Sequence, residues 1–181
     1  DITEREHAMI VGDPNAFAIL CETVDDWNAD DTFCNGLLTL FVNGDVYPQE
    51  VVSATLRHEV PCLAQSLGSI AVDERLYAMA PQDAFAEIYE ATFPEDFDVD
   101  NDYRFEVSPP SLSDNGCHVF AVSDGVSARV LAARLGYAAE CGARATQGIV
   151  VSEAFVPLGD MERIAGQAKA FLPECAGETD S

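Results

Sequence analysis

Two turn signals, Asn43-Gly44 and Asp124-Gly125, constrain this chain more than any other feature, because each sits between apolar segments. Such pairs accept the positive φ angles of a tight hairpin, so each predicts two neighbouring antiparallel strands. Before the first turn, GLLTLFV (36–42) is apolar on both alternating faces and predicts a central strand; Asp45-Val46-Tyr47 begins its return. Around the second, CHVFAVS (117–123) leads in and VSARVLAAR (126–134) leads out. AMIV (8–11), stopped by Gly12-Asp13-Pro14, and FAILCETV (17–24) predict two strands nearer the N-terminus. RLYAM (75–79), YRFEV (103–107) and GIVVSEAFV (148–156) predict three more.

Helical periodicity appears in three places. In 49–67, Val52, Leu56, Val60, Leu63 and Leu67 recur at spacings of three and four, with Pro61 expected to kink or split the helix. Pro81 suits a first turn, and 82–93 puts Phe85, Ile88, Tyr89 and Phe93 on one face. Residues 160–172 form an amphipathic pattern, with Asp160 as the expected N-cap. Residues 136–148, rich in Gly and Ala, carry no assignment. At 181 residues this is one domain's length. The expected architecture is α+β: a single domain over 9–172 with a mostly antiparallel sheet and about three helices packed on it. Residues 1–8 read as an extension ahead of Met9, and 173–181 as a flexible polar tail.

Apolar residues make up 48% of the chain, enough for a core. Charge is the more informative quantity. The net is −23, with 32 acids against nine bases, and 24 of the acids lie in residues 1–115 beside only four bases. Such a field repels nucleic acid and anionic membrane and speeds encounter with cationic partners, although solubility alone also explains it. No apolar run approaches the roughly 18 residues of a membrane helix, and no secretory leader is recognisable, so the expectation is a cytoplasmic protein. The six cysteines contain no CxxC pair and are expected to be reduced thiols, although their even number also allows an oxidised reading.

Motifs for chemistry fail on position. An EF-hand loop wants acids at its first, third and fifth places, Gly at the sixth and Glu at the twelfth. Started at Asp96, the sixth is Asn101 and the twelfth Val107; started at Asp98, they are Tyr103 and Pro109. His7, His58, His118 and the cysteines lack zinc spacing, and Cys117-His118 in a strand predicts a buried Cys beside an outward His. No GxSxG, phosphate loop or HExxH is present, and His58-Glu59 reads as a solvated helical pair. The expectation is no metal, no cofactor and no catalysis.

Two acidic stretches remain. DDWNADD places Asp25, Asp26, Asp30 and Asp31 around Trp27, which is either an interface anchor or a core residue at a loop root. PEDFDVDNDYRFE (94–106) carries Glu95, Asp96, Asp98, Asp100 and Asp102. It cannot form a buried strand while charged, so it is an exposed loop. It reads as solvated chain or as a docking strip whose carboxylates are spaced like phosphates.

MIVGDPNAFAILCETVDDWN followed by GLLTLFVNGDVYP resembles the opening of the immunity protein 42 family of bacterial polymorphic toxin systems. The likeness rests on Met9, Gly12-Asp13, Phe17, Ile19, Trp27, Gly36 and Asn43-Gly44, and later on YRFEVSP, the Asp124-Gly125 hairpin and a strand entering a final helix. It spans about residues 9–172 but not the middle, from about 60 to 100. The resemblance implies a cytoplasmic antitoxin that binds the C-terminal effector domain of a toxin encoded beside it. Such a toxin, acting in the cytoplasm, would be a basic nuclease or another enzyme directed at nucleic acids or nucleotides. The rival readings are an acidic nucleic-acid mimic that inhibits several nucleases, and a small enzyme or ligand-binding domain.

Overall fold

The computed structural model describes residues 8–28, 34–136 and 146–171, and both turns close hairpins within them. Asn43 and Gly44 take φ of 52° and 84°, the doubly left-handed pair that matches the twist of the flanking strands. They join β3 (Asn35–Val42) to β4 (Asp45–Tyr47). β1 (Ala8–Gly12) and β2 (Phe17–Thr23) continue the sheet on the other side of β3, and β5 (Ala54–Thr55) pairs with its start. β3 is thus interior, as its apolar alternation predicts. The second turn joins β6 (Cys117–Ser123) to β7 (Ser127–Arg134), and β8 (Ser152–Pro157) pairs with β7. The α+β class holds, with two antiparallel sheets in place of the one expected.

The helices are α1 (Leu56–Leu67), α2 (Glu74–Ala78), α3 (Pro81–Thr92), α4 (Pro110–Ser113) and α5 (Leu158–Ala170). One core lies between the inner face of the first sheet, α1, α5 and one face of the second sheet; Ile19, Leu40, Leu56, Val130 and Met161 meet there. A second lies on the opposite face of β6 and β7, where Phe120 and Leu131 pack on Leu76, Phe85 and Ile88 of α2 and α3. The second sheet is therefore covered on both faces, and every residue of β6 is buried.

That coverage explains several departures from the sequence reading. His118 is not outward: it is 7% exposed, because the far face of β6 carries helices and not water. RLYAM is helical, since the Asp73 carboxylate accepts the Leu76 N–H at 2.9 Å and caps α2. YRFEV makes a single bridge, Glu106 to Phe120, before Ser108-Pro109-Pro110 ends the pairing. Its alternation survives, with Phe105 and Val107 buried.

Helix α1 begins at Leu56, and residues 49–53 precede it without helix. It runs through Pro61 without splitting. Leu56, Val60, Leu63 and Leu67 are each at most 2% exposed. Burial worth about 1.5–3 kcal/mol per side chain outweighs the roughly 3 kcal/mol that an interior proline costs. Glu59 is buried and not solvated: its carboxylate accepts the N–H groups of Thr55 (3.1 Å) and Ser111 (3.0 Å). Asp160 lies within the first turn of α5, whose N-cap is Pro157. The last strand starts at Ser152, four residues later than expected. Cys21, Cys34, Cys62 and Cys117 are free thiols; Cys141 and Cys175 fall outside the described residues.

Candidate partner-binding surface

The first acidic stretch leaves β2 as a 3-10 turn, Asp25–Trp27. Its exit is fastened by Asn28, whose side-chain amide donates to the carbonyls of Val24 (2.8 Å) and Asn35 (2.7 Å) and accepts from the Asn35 N–H. The Asn35 amide in turn donates to the Trp27 carbonyl at 3.1 Å. Asp25 and Asp26 are exposed, and Trp27 is 38% exposed and lies outside both cores. Asp30 and Asp31 fall outside the described residues.

The second stretch leaves the end of α3 as a loop closed at its neck. The Asp102 N–H donates to the Ala91 carbonyl at 2.8 Å, Asn101 Nδ2 to the Thr92 carbonyl at 2.8 Å, and Thr92 Oγ1 to the Asp102 carbonyl at 3.0 Å. The tip turns at Asp96, which accepts the N–H groups of Asp98 (2.9 Å, side chain) and Val99 (3.1 Å, backbone). Aromatic rings seat the neck on the core. His118 lies 5.1 Å from Phe93, and Phe93 lies 6.4 Å from Tyr103.

The five acids expected in this loop do not behave alike. Asp102 is half-buried and chelated by Arg104, whose Nη2 lies 2.7 Å from Oδ2; those hydrogen bonds hold its carboxyl below the usual range. Glu95, Asp96, Asp98 and Asp100 are exposed and form no ion pair with any described residue. Between them stands a residue passed over in the sequence: Phe97 is fully exposed. Its signal was the alternation of acids with Phe97 and Val99 in a segment that has no strand partner. The two stretches are not brought together. The Asp25–Trp27 turn follows β2 of the first sheet, and the 93–102 loop follows α3, which packs in the second core.

Tyr47, Ser152 and Arg129 commit their buried polar groups to structure. Ser152 Oγ lies 2.5 Å from the Tyr47 hydroxyl and donates to Asp45 Oδ2 at 2.6 Å, tying β8 to β4 across the two sheets. No imidazole among the described residues is bonded to either hydroxyl to activate it. Arg129, 2% exposed, donates to Glu153 (2.6 Å) and to the carbonyls of Leu76 (2.9 Å) and Tyr77 (3.0 Å), closing the C-terminal end of α2. His118 sits among Tyr89, Phe93 and Phe120 with its Nδ1 unpartnered, and burial pushes its pKa down to about 4. Among the described residues no group of three or more His, Cys, Asp or Glu is placed to hold a metal. A depression lined by Pro61, Cys62, Glu162 and Lys169 runs between α1 and α5, and it is open to solvent. No helix among the described residues is long and apolar enough to cross a membrane.

CdiI from Burkholderia dolosa AUO158, known from a crystal structure, superposes with a TM-score of 0.72 at 26% identity, covering 90% of this chain and 99% of that one. No curated protein matches the chain by sequence. A family model described as immunity protein 42 matches residues 9–171, from the first residues of β1 to the end of α5, including the 60–100 stretch that its motifs alone do not reach. A match of that span joins both sheets, both cores and both acidic stretches in one unit, and the chain belongs to the immunity protein 42 family.

Proposed function

We propose that this immunity protein neutralises its cognate toxin by stoichiometric occlusion, with an acidic loop surface meeting a basic effector domain in the cytoplasm. The observation that carries the reading is the 93–102 loop, where four carboxylates stand in solvent without ion-pair partners on a neck fixed by three hydrogen bonds. Charges held this way steer encounter, because their field is not cancelled internally and little ordering remains to be done on binding. The excess of acids in residues 1–115 gives that field its reach. The partner of matching chemistry is a cationic domain that works on nucleic acids or nucleotides. The chain acts by binding and not by catalysis, a reading supported by the buried Tyr47, Ser152, Glu59 and Arg129, whose polar groups are engaged in holding the fold.

The test is association kinetics against the effector domain of the toxin encoded beside this chain. Converting Glu95 to Gln and Asp96, Asp98 and Asp100 to Asn spares the Asp102–Arg104 pair. This variant should associate about tenfold more slowly at low salt, with the gap shrinking near 0.15 M salt as the Debye length falls to about 8 Å. An unchanged rate would move the docking face to the Asp25–Trp27 turn. Equal inhibition of several unrelated nucleases would replace the cognate-toxin reading with that of a nucleic-acid mimic.

A further inference from the structure

The carboxylates account for steering but not for retention. Rim charges mostly set association rate, whereas residence time depends on a few desolvated anchors. Eleven large apolar residues are exposed among those described, and three of them, Phe97 and Val99 in this loop and Tyr103 directly after it, fall within seven residues. Their exposures are 102%, 52% and 56%. A single exposed apolar side chain is ordinary; a benzyl group wholly in water, at the turn of a loop whose neck is fastened, is an unspent hydrophobic surface. Trp27, the other anchor candidate in the sequence, is only 38% exposed and follows β2 of the first sheet, whereas the unpaired acids follow α3.

We propose that Phe97 is the anchor of the toxin interface. It inserts into an apolar recess rimmed by Lys and Arg on the effector domain, while Asp96, Asp98 and Asp100 meet the basic rim. The inference rests on the occlusion reading and extends it from steering to retention. Three observations support it. The apolar tip and its ring of free carboxylates reproduce the arrangement of a hydrophobic hot spot within a polar rim. The ring contacts from His118 through Phe93 to Tyr103, with the hydrogen bonds at the neck, pre-order the loop and lower the cost of docking it. Charge complementarity selects a basic occupant, because an acidic recess would set like charges against Asp96, Asp98 and Asp100.

The experiment compares Phe97→Ala, Phe97→Leu and Val126→Ala in the full chain, titrated against the purified effector domain of the neighbouring toxin. Val126, 75% exposed on the β6–β7 hairpin, is the apolar control. Phe97→Ala should raise Kd about 30-fold, chiefly through faster dissociation, with no change in melting temperature or in the salt dependence of association. Phe97→Leu should recover most of that loss, and Val126→Ala should bind like the unaltered chain. If the unaltered chain binds tightly and Phe97→Ala binds within about threefold of it, the anchor is overturned while occlusion stands. If the unaltered chain does not bind this domain, both are overturned.

Discussion

His118 offers a quantitative check on the double coverage of β6. Its ring is 7% exposed, lies 5.2 Å from Tyr89, 5.1 Å from Phe93 and 6.3 Å from Phe120, and has no hydrogen-bond partner at Nδ1. Burial disfavours the charged form, so the pKa falls from 6.5 to about 4. The unfolded chain therefore binds a proton that the folded chain refuses, and stability rises with pH between those values. The contribution is complete above the unfolded pKa and is lost as pH falls towards the folded one. At about 1.4 kcal/mol per pH unit, lowering the pH from about 7 to about 4.5 removes roughly 2.5 kcal/mol. Glu106, beside β6, is raised by burial and works in the opposite sense, but it titrates in any variant that keeps it. Urea unfolding of the wild type and His118→Phe across this range isolates the histidine. The stability difference should grow in favour of the variant by about 2.5 kcal/mol as pH drops. A difference that stays constant would mean that His118 is protonated inside the fold and that the far face of β6 is wet.

Two other substitutions test the frame. Arg129→Met leaves the Leu76 and Tyr77 carbonyls and the Glu153 carboxylate without their donor, so it should cost about 3 kcal/mol in chemical denaturation, with Glu153→Gln recovering part of the loss. Gly36→Ala places a Cβ against the Glu22 carbonyl oxygen and 2.8 Å from Leu56 Cδ1, where β2, β3 and α1 meet; a loss of about 2 kcal/mol or more is expected, and a neutral result would mean that the strands separate easily there.

What the sequence revealed was local. The Asn43-Gly44 and Asp124-Gly125 turns, the alternation in 17–24 and 36–42, and the helices of 82–93 and 160–172 appear close to where they were expected, while the helix expected from residue 49 starts only at Leu56. These signals need only neighbouring residues. Misreadings arose where a distant or single contact decided. The Asp73 cap turned RLYAM into a helix, and the Ser108-Pro109-Pro110 break held YRFEV to one bridge. α2 and α3 turned an outward histidine into a buried one, through partners such as Tyr89 and Phe93 that no spacing rule connects to His118. The acidic loop was legible as exposed, but not its division between Asp102, tied to Arg104, and the four carboxylates left free.

The fastening of the 93–102 loop separates the residues that hold the fold from those proposed to meet the toxin. Thr92, Asn101 and the backbone at Asp102 close the neck, so residues 95–100 owe nothing to either core. Under the proposed docking mode, that tip can change one residue at a time without disturbing either core, because the residues that would recognise the toxin are not the ones that hold the scaffold. The same separation makes the loop a graft point: transplanting a tip of equal length between relatives should transfer recognition while leaving the melting temperature of the host unmoved.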